Sequence, residues 1–152
     1  MGDSMKKRWL LALPLTVLLM APHMYNPSDF PGTYTNGGTA SASGVITASP
    51  GLLVDCDLYN GNAAARTFQF YDSATVPSDG AQGCDSSHFS GCWKVSVTCP
   101  ATTQCAWSIV GQAPLRAAAV PFANGISWAN SSTVQTKTVG SADSTVSCRY
   151  YN

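Results

Sequence analysis

The chain has 152 residues, 45% of them hydrophobic and 11% charged, which suits one packed domain better than a disordered tail. Basic and acidic residues number eight each, so the formal net charge is zero and no general field attracts nucleic acid. All eight acids are Asp, and Thr, Ser, Gly and Asn fill many of the polar positions, a composition typical of strands and turns that argues against a helical bundle.

The amino end joins a basic cluster to an apolar run. Lys6, Lys7 and Arg8 precede the apolar residues 9–20, which is the order found in secretory signal peptides. The run is shorter than the about 20 residues of a membrane span and contains Pro14, so it is not a standard transmembrane helix. Two interpretations stay open, a cleaved signal peptide and a retained arm that must be covered by a neighbouring subunit or a lipid layer. The arm contacts are predicted to come from Trp9, Leu10, Leu11, Leu13, Leu15, Val17, Leu18 and Leu19.

The composition divides the chain into three parts. Residues 1–24 form the basic-apolar arm or signal-like segment, and residues 25–43, rich in Pro, Gly, Ser and Thr, are predicted to be an irregular linker. The body is predicted to span residues 44–152 and to include a Cys-rich hairpin at residues 84–110.

The first half of the body shows strand alternation. Leu52, Val54, Cys56 and Leu58 are predicted to share an inward face, with Asp55 and Asp57 on a solvated outer face. The turn residues 60–62 follow this strand and lead to a second one at residues 66–72. The two strands are predicted to form a first hairpin. Residues 93–99 and 105–109 predict a second hairpin.

The second half continues the pattern. Residues 116–122 are apolar but contain Pro121, which favours an edge strand or a bulge, and Asn124-Gly125 turns the chain into residues 126–128. Residues 133–139 and 145–151 predict a final hairpin. Repeated short strands without amphipathic helices indicate an all-β fold, an antiparallel β-sandwich of jelly-roll or immunoglobulin-like type with an N-terminal apolar arm.

The six cysteines are even in number and favour disulfides. Cys99 and Cys105 lie on the same side of one predicted hairpin, Cys56 and Cys148 lie on inward faces, and Cys84 then remains for Cys92. Buried free thiols at Cys56 and Cys148 are the alternative. No metal site is predicted, because structural zinc usually uses tight ligand pairs and the chain has no Cys-x-x-Cys.

The sequence offers little catalytic chemistry. His88 follows Ser86 and Ser87, but there is no Gly-x-Ser-x-Gly elbow, and no Gly-rich loop suits a phosphate. We therefore predict no enzyme activity, no catalytic residues and no cofactor, with a hydrolase using His88 and a neighbouring Ser as a minor alternative. Tyr71 and Tyr151, on outward faces, are predicted as a possible contact surface, and residues 130–132 form a glycosylation sequon.

Three stretches of the body carry a resemblance to known proteins. They are residues 43–46 followed by 50–53, the stretch 58–72 with Asn60-Gly61-Asn62, and residues 120–126 leading to a closing strand that ends in Arg149-Tyr150-Tyr151. With them, the body from about Gly44 to Tyr151 resembles small β-sandwich structural proteins of tailed-phage virions, of the head-decoration or tail-surface kind. Residues 84–105 look like an insertion in that pattern, and the basic-apolar amino end is unusual for it.

The resemblance and the arm together imply a non-enzymatic structural protein on a virion, such as a capsid decoration subunit. Its expected partners are other copies of itself, neighbouring structural proteins and, through the arm, lipid; nucleic acid is not expected. The alternative is a secreted or cell-surface β-sandwich module that binds a glycan or a protein after cleavage of its signal peptide.

Overall fold

The computed structural model describes residues 33–35, 39–85, 87, 90–109 and 118–152. The predicted arm, residues 1–24, lies outside these residues. Their secondary structure consists of nine strands: β1 (Thr33–Thr35), β2 (Ser43–Thr47), β3 (Gly51–Asn60), β4 (Arg66–Asp72), β5 (Trp93–Cys99), β6 (Thr103–Ser108), β7 (Val120–Phe122), β8 (Ile126–Ser131) and β9 (Ser144–Tyr151).

The strands form two antiparallel sheets. The first sheet has the order β1-β9-β3-β6, with the short β7 pairing with the beginning of β3, and the second has the order β2-β8-β4-β5. The pairs β1·β9, β2·β8, β3·β6 and β4·β5 are the four antiparallel pairs of an eight-stranded jelly roll, to which β7 is added. The predicted all-β sandwich is therefore confirmed, and of its two forms the strand order is that of the jelly roll.

All three predicted hairpins are wrong, although the strands of the first two exist. In the first two, β3 and β4 and then β5 and β6 follow one another in the chain, but the two strands of each pair belong to different sheets. Residues 132–143 make isolated bridges instead of the first strand of the predicted third hairpin. Turn residues mark where a strand ends, and they do not say whether the chain pairs back or crosses to the other sheet.

The body also begins earlier than predicted. β1 and the start of β2 lie within residues 25–43, where an irregular linker was expected. The supposed insertion at residues 84–105 contributes β5 and part of β6, so it belongs to both sheets. Short polar strands such as Thr33–Thr35 have no apolar alternation by which a sequence pattern could detect them.

A bulge in β3 changes which residues face the core. The register of β3 against β9 shifts between Leu53 and Asp55, so that Leu53 rather than Leu52 or Val54 points between the sheets. Val54 is fully buried in a second apolar cluster with Ile109 and Ala119. An extra residue in a bulge reverses the alternation on one side of it, and the predicted shared face of Leu52 and Val54 with Cys56 is therefore wrong. The main core contains Leu53, Cys56, Leu58, Phe68, Phe70, Phe122, Ile126, Trp128, Val146, Cys148 and Tyr150 among its buried side chains.

The three predicted disulfides are all present and leave no free cysteine. Cys56 and Cys148 are partners on the adjacent strands β3 and β9. Cys99 and Cys105 join β5 of the second sheet to β6 of the first, so this bond links the two sheets rather than closing a hairpin. Cys84 and Cys92 close the loop that precedes β5.

Candidate functional site

An open pocket of about 410 Å³ lies at one end of the sandwich. The first residues of β3, the strand β7 and the last residues of β9 meet there, and Lys94 of β5 reaches it from the second sheet. This volume is within the range of about 300 to 1,000 Å³ that is usual for ligand pockets. Most of its lining is apolar and comes from Pro50, Leu52, Pro121, Phe122, Ala123 and Tyr151.

Close backbone packing shapes the floor of this pocket. Gly51 is paired with Phe122, and a Cβ atom at Gly51 would lie 3.0 Å from the carbonyl oxygen of Tyr151. Pro121 has no N–H to donate, and it is tolerated because β7 is a three-residue strand at the margin of the sheet. The prediction of an edge strand at Pro121 is therefore confirmed.

An ion pair within the second sheet lies beside the pocket, and its lysine also bonds to β7 of the first sheet. The Lys94 ammonium lies 2.6 Å from Asp72 Oδ2, donates a hydrogen bond of 2.7 Å to the Pro121 carbonyl oxygen, and sits 5.4 Å from the centre of the Phe122 ring. The other carboxylate oxygen of Asp72 accepts a 2.8 Å hydrogen bond from the Asn124 N–H. Asp72 thus holds the β7–β8 turn, and its charge balances the ammonium at the pocket wall.

Sequence reasoning missed this ion pair. Asp72 and Lys94 are separated by the long β4–β5 connection, and each is a single charged residue with no motif around it. One signal was present: Asp72 ends the strand β4, which carries Phe68 and Phe70. A carboxylate that is buried beside such a strand needs a cationic partner. The sequence could not show that Lys94 would be this partner.

The two tyrosines predicted as a contact surface have different positions. Tyr151 is half-buried and lines the pocket, so its role in contacts stays a prediction. Tyr71 is completely buried, and the prediction that it presents a contact surface is wrong. It does point away from the main core, but loops cover that face of the second sheet.

Two loops bury the outer face of the second sheet. Gln69 donates hydrogen bonds to the carbonyl oxygens of Thr133 and Val134, and Ser127 donates one to the carbonyl oxygen of Thr75. The Tyr71 hydroxyl donates to the Gln69 side-chain oxygen. Burial, together with the charge of Asp79, raises the pKa of Tyr71 well above its ordinary value.

The two loops that cover this face of the second sheet are joined by an ion pair and a backbone hydrogen bond. Lys137, which is 4% exposed, places its ammonium 2.5 Å from a carboxylate oxygen of Asp79, and the Lys137 N–H donates to the Ala81 carbonyl oxygen. The Lys137 hydrogen bond holds the pKa of the exposed Asp79 below its usual value. This part of the surface is closed rather than available as a site.

The remaining sequence candidates do not assemble into a reactive centre in the described residues. His88, Ser86 and His23 lie outside them. Asp57 is exposed as predicted, while Asp55 is half-buried and forms an ion pair with Arg149. The described residues contain no group of three His, Cys, Asp or Glu side chains that could hold a metal ion. They also contain no helix with the length and apolar character to span a membrane.

The sequon asparagine is a structural residue. Asn130 is 0% exposed, and its side-chain amide donates hydrogen bonds to the Ser141 carbonyl oxygen and the Ser144 hydroxyl. Its side-chain oxygen accepts a 3.0 Å hydrogen bond from the Gly140 N–H. The amide therefore cannot carry a glycan without breaking the packing between β8 and the loop before β9.

Comparisons with protein-family models, with curated proteins and with solved structures found no match to this chain.

Proposed function

We propose that this chain is a non-enzymatic structural subunit of a virus particle, a capsid decoration protein or another virion surface subunit, assembled through its N-terminal arm. The jelly-roll strand order is the observation that carries the proposal. Viral capsid domains and lectins are prominent users of this architecture, because its two Greek keys leave a rigid body with few exposed edges. Fold alone does not define an activity, so the arm and the disulfides must support the same conclusion.

The disulfides support a location of the mature protein outside the reducing cytosol. All six cysteines are paired, and such bonds persist on virion and cell surfaces and in secreted proteins but are rare in the reducing cytosol. The bond between Cys99 and Cys105 also ties one sheet to the other, which suits a body that stays folded outside the cell.

The arm supports assembly. Residues 9–20 contain seven Leu or Val side chains and no charged residue. Burying one Leu or Val is worth roughly 1.5 to 3 kcal/mol relative to leaving it in water, so a retained segment of this composition favours burial against another surface. A repeated virion subunit offers such a surface on every neighbouring copy.

The test compares arm and body variants of the full-length protein. We expect Leu11→Asp together with Leu15→Asp to shift the protein from large assemblies to monomers in size-exclusion chromatography with light scattering. The matched control is Val45→Asp together with Val134→Asp, because these two body residues are 48% and 55% exposed. Assembly that survives the arm substitutions unchanged would refute the proposal.

A secreted or cell-surface binding module is the second candidate, and the basic-apolar order of residues 6–20 favours it. Such a module starts after a cleaved signal peptide, and the pocket beside Tyr151 would be its ligand site. The intact mass of the mature protein separates the candidates, since cleavage removes about 20 residues or more.

A further inference from the structure

We propose that the pocket lined by Pro50, Leu52, Phe122 and Tyr151 receives the apolar arm segment 9–20 of a neighbouring copy of this chain. This inference rests on the proposed function and names the surface on which the arm acts. It follows from the position of the pocket, from its chemistry and from the length of chain that precedes the body.

The chain enters the body at the end of the sandwich that holds the pocket. Thr33, the first residue of β1, is paired with Tyr150, and the next residue of β9, Tyr151, is paired with Leu52 at the pocket wall. In each subunit the first residue of β1 and the pocket therefore lie at the same end of one sheet. Copies that meet through these ends bring every arm within reach of a neighbour's pocket.

The chemistry of the pocket matches an apolar segment. Its walls are formed by proline, leucine, phenylalanine, alanine and tyrosine side chains, and its ammonium, that of Lys94, is paired with Asp72. Lys94 also donates to the Pro121 carbonyl oxygen, so two of its three donors are already used inside the protein. A charged ligand gains little there, whereas leucine side chains gain by leaving water.

The intervening chain is long enough for an exchange between subunits. Residues 21–32 provide twelve residues between the apolar segment and β1. At no more than about 3.3 to 3.6 Å per residue, they extend up to about 40 Å. This exceeds what is needed to cross from one small domain to the next, since a domain of 100 residues has a radius of gyration of about 13 Å.

Substitutions at the rim of the pocket test the inference in the full-length protein. Ala123 and Pro50 are exposed lining residues, so Ala123→Trp and Pro50→Asp obstruct the pocket without entering the core. We expect each to raise the apparent dissociation constant of the assembly at least tenfold. Ala63→Trp is the matched control, because Ala63 is an exposed alanine at the opposite end of β3. Non-reducing mass analysis and thermal melting verify that each variant is folded, and Pro50→Asp carries the test if Ala123→Trp fails to fold.

Cross-linking identifies the occupant. A photoreactive amino acid replaces Leu13, and isotopically light and heavy chains are mixed before irradiation. We expect light–heavy cross-links to peptides containing residues 50–52 or 121–123. If the Leu11→Asp, Leu15→Asp protein dissociates while both pocket variants assemble like the wild type, or if cross-links reach only lipid or only the same chain, the pocket assignment is wrong and the arm acts elsewhere. If none of the arm and pocket variants alters assembly, the proposed function fails as well.

Discussion

The Lys94 ammonium lies 2.6 Å from the Asp72 carboxylate of the neighbouring strand, and its hydrogen bond to the Pro121 carbonyl oxygen connects the second sheet to the strand β7 of the first. The Asp72 side chain is 1% exposed and the Lys94 side chain 24% exposed, so the acid depends on this partner more than the base does. Removing one member of such a pair leaves a charge without compensation in a poorly solvated place.

We expect Lys94→Met to destabilise the protein by about 3 kcal/mol, at the low end for a broken buried ion pair because Lys94 is partly solvated. The double variant Lys94→Met, Asp72→Asn removes the uncompensated charge and should recover part of this loss. Urea unfolding of the two variants and the wild type measures both effects. Equal stability of Lys94→Met and the wild type would show that the pair contributes nothing.

Tyr71 should make the protein sensitive to alkaline pH. Its pKa in the folded state is raised above the ordinary value of 10.0 by burial, so the unfolded chain loses the phenolic proton first as the pH rises. The free energy of unfolding should be unaffected by Tyr71 below about pH 10 and should fall above it. In Tyr71→Phe, which keeps the buried ring and lacks the ionisable hydroxyl, the fall between pH 10 and 12 should be shallower. Identical slopes in urea-unfolding series of the two proteins would contradict this.

The three disulfides should differ in their contribution to stability. Cys56 and Cys148 are 92 residues apart, whereas Cys84 and Cys92 are 8 apart. If the bonds act by restricting the unfolded chain, replacing the first pair by Ala should cost about 2 kcal/mol more than replacing the second. Denaturant unfolding of the two double variants measures the difference. A larger loss from the Cys84 and Cys92 replacement would mean that loop closure does not govern these bonds.

Asn130 should escape glycosylation because its amide is used inside the fold. Expression in a host that glycosylates Asn-x-Ser sequons should yield folded protein without a glycan at this position, which intact mass analysis reports. Asn130→Ala should destabilise by about 1 to 3 kcal/mol, since it leaves buried partners such as the Ser144 hydroxyl without their hydrogen bond. Ser132→Ala also removes the sequon, but Ser132 is exposed and its loss should be nearly neutral. Folded protein with a glycan on Asn130 would contradict the buried position.

The sequence predicted most of the strands and two of the disulfides because these depend on alternation, whereas Cys84 and Cys92 were paired as the two cysteines that remained. Cys56 and Cys148 could be paired because alternation places both on inward faces, and the structure places them opposite each other on β3 and β9. The partner sheet of each strand could not be predicted in this way. A turn such as residues 61–65 has the same local chemistry whether β4 pairs with β3 or crosses to the other sheet.

The site was harder to predict than the fold. The alternation of side chains correctly placed Tyr71 on the face opposite Phe70. It could not reveal that a loop would cover that face, held by the hydrogen bonds of Gln69 to Thr133 and Val134. The pocket was missed because it is formed by chain segments distant in sequence, such as Pro50 and Ala123, that carry no motif. Its residues become a set only when the strand order is known.

The proposed function requires that the chain keeps its arm and uses it to assemble. Native mass spectrometry of the purified protein measures the chain mass and the number of copies in one experiment. We expect chains of about 15.9 kDa, the mass of all 152 residues, in complexes of several copies. A monomer whose chain begins after Met20 would contradict it.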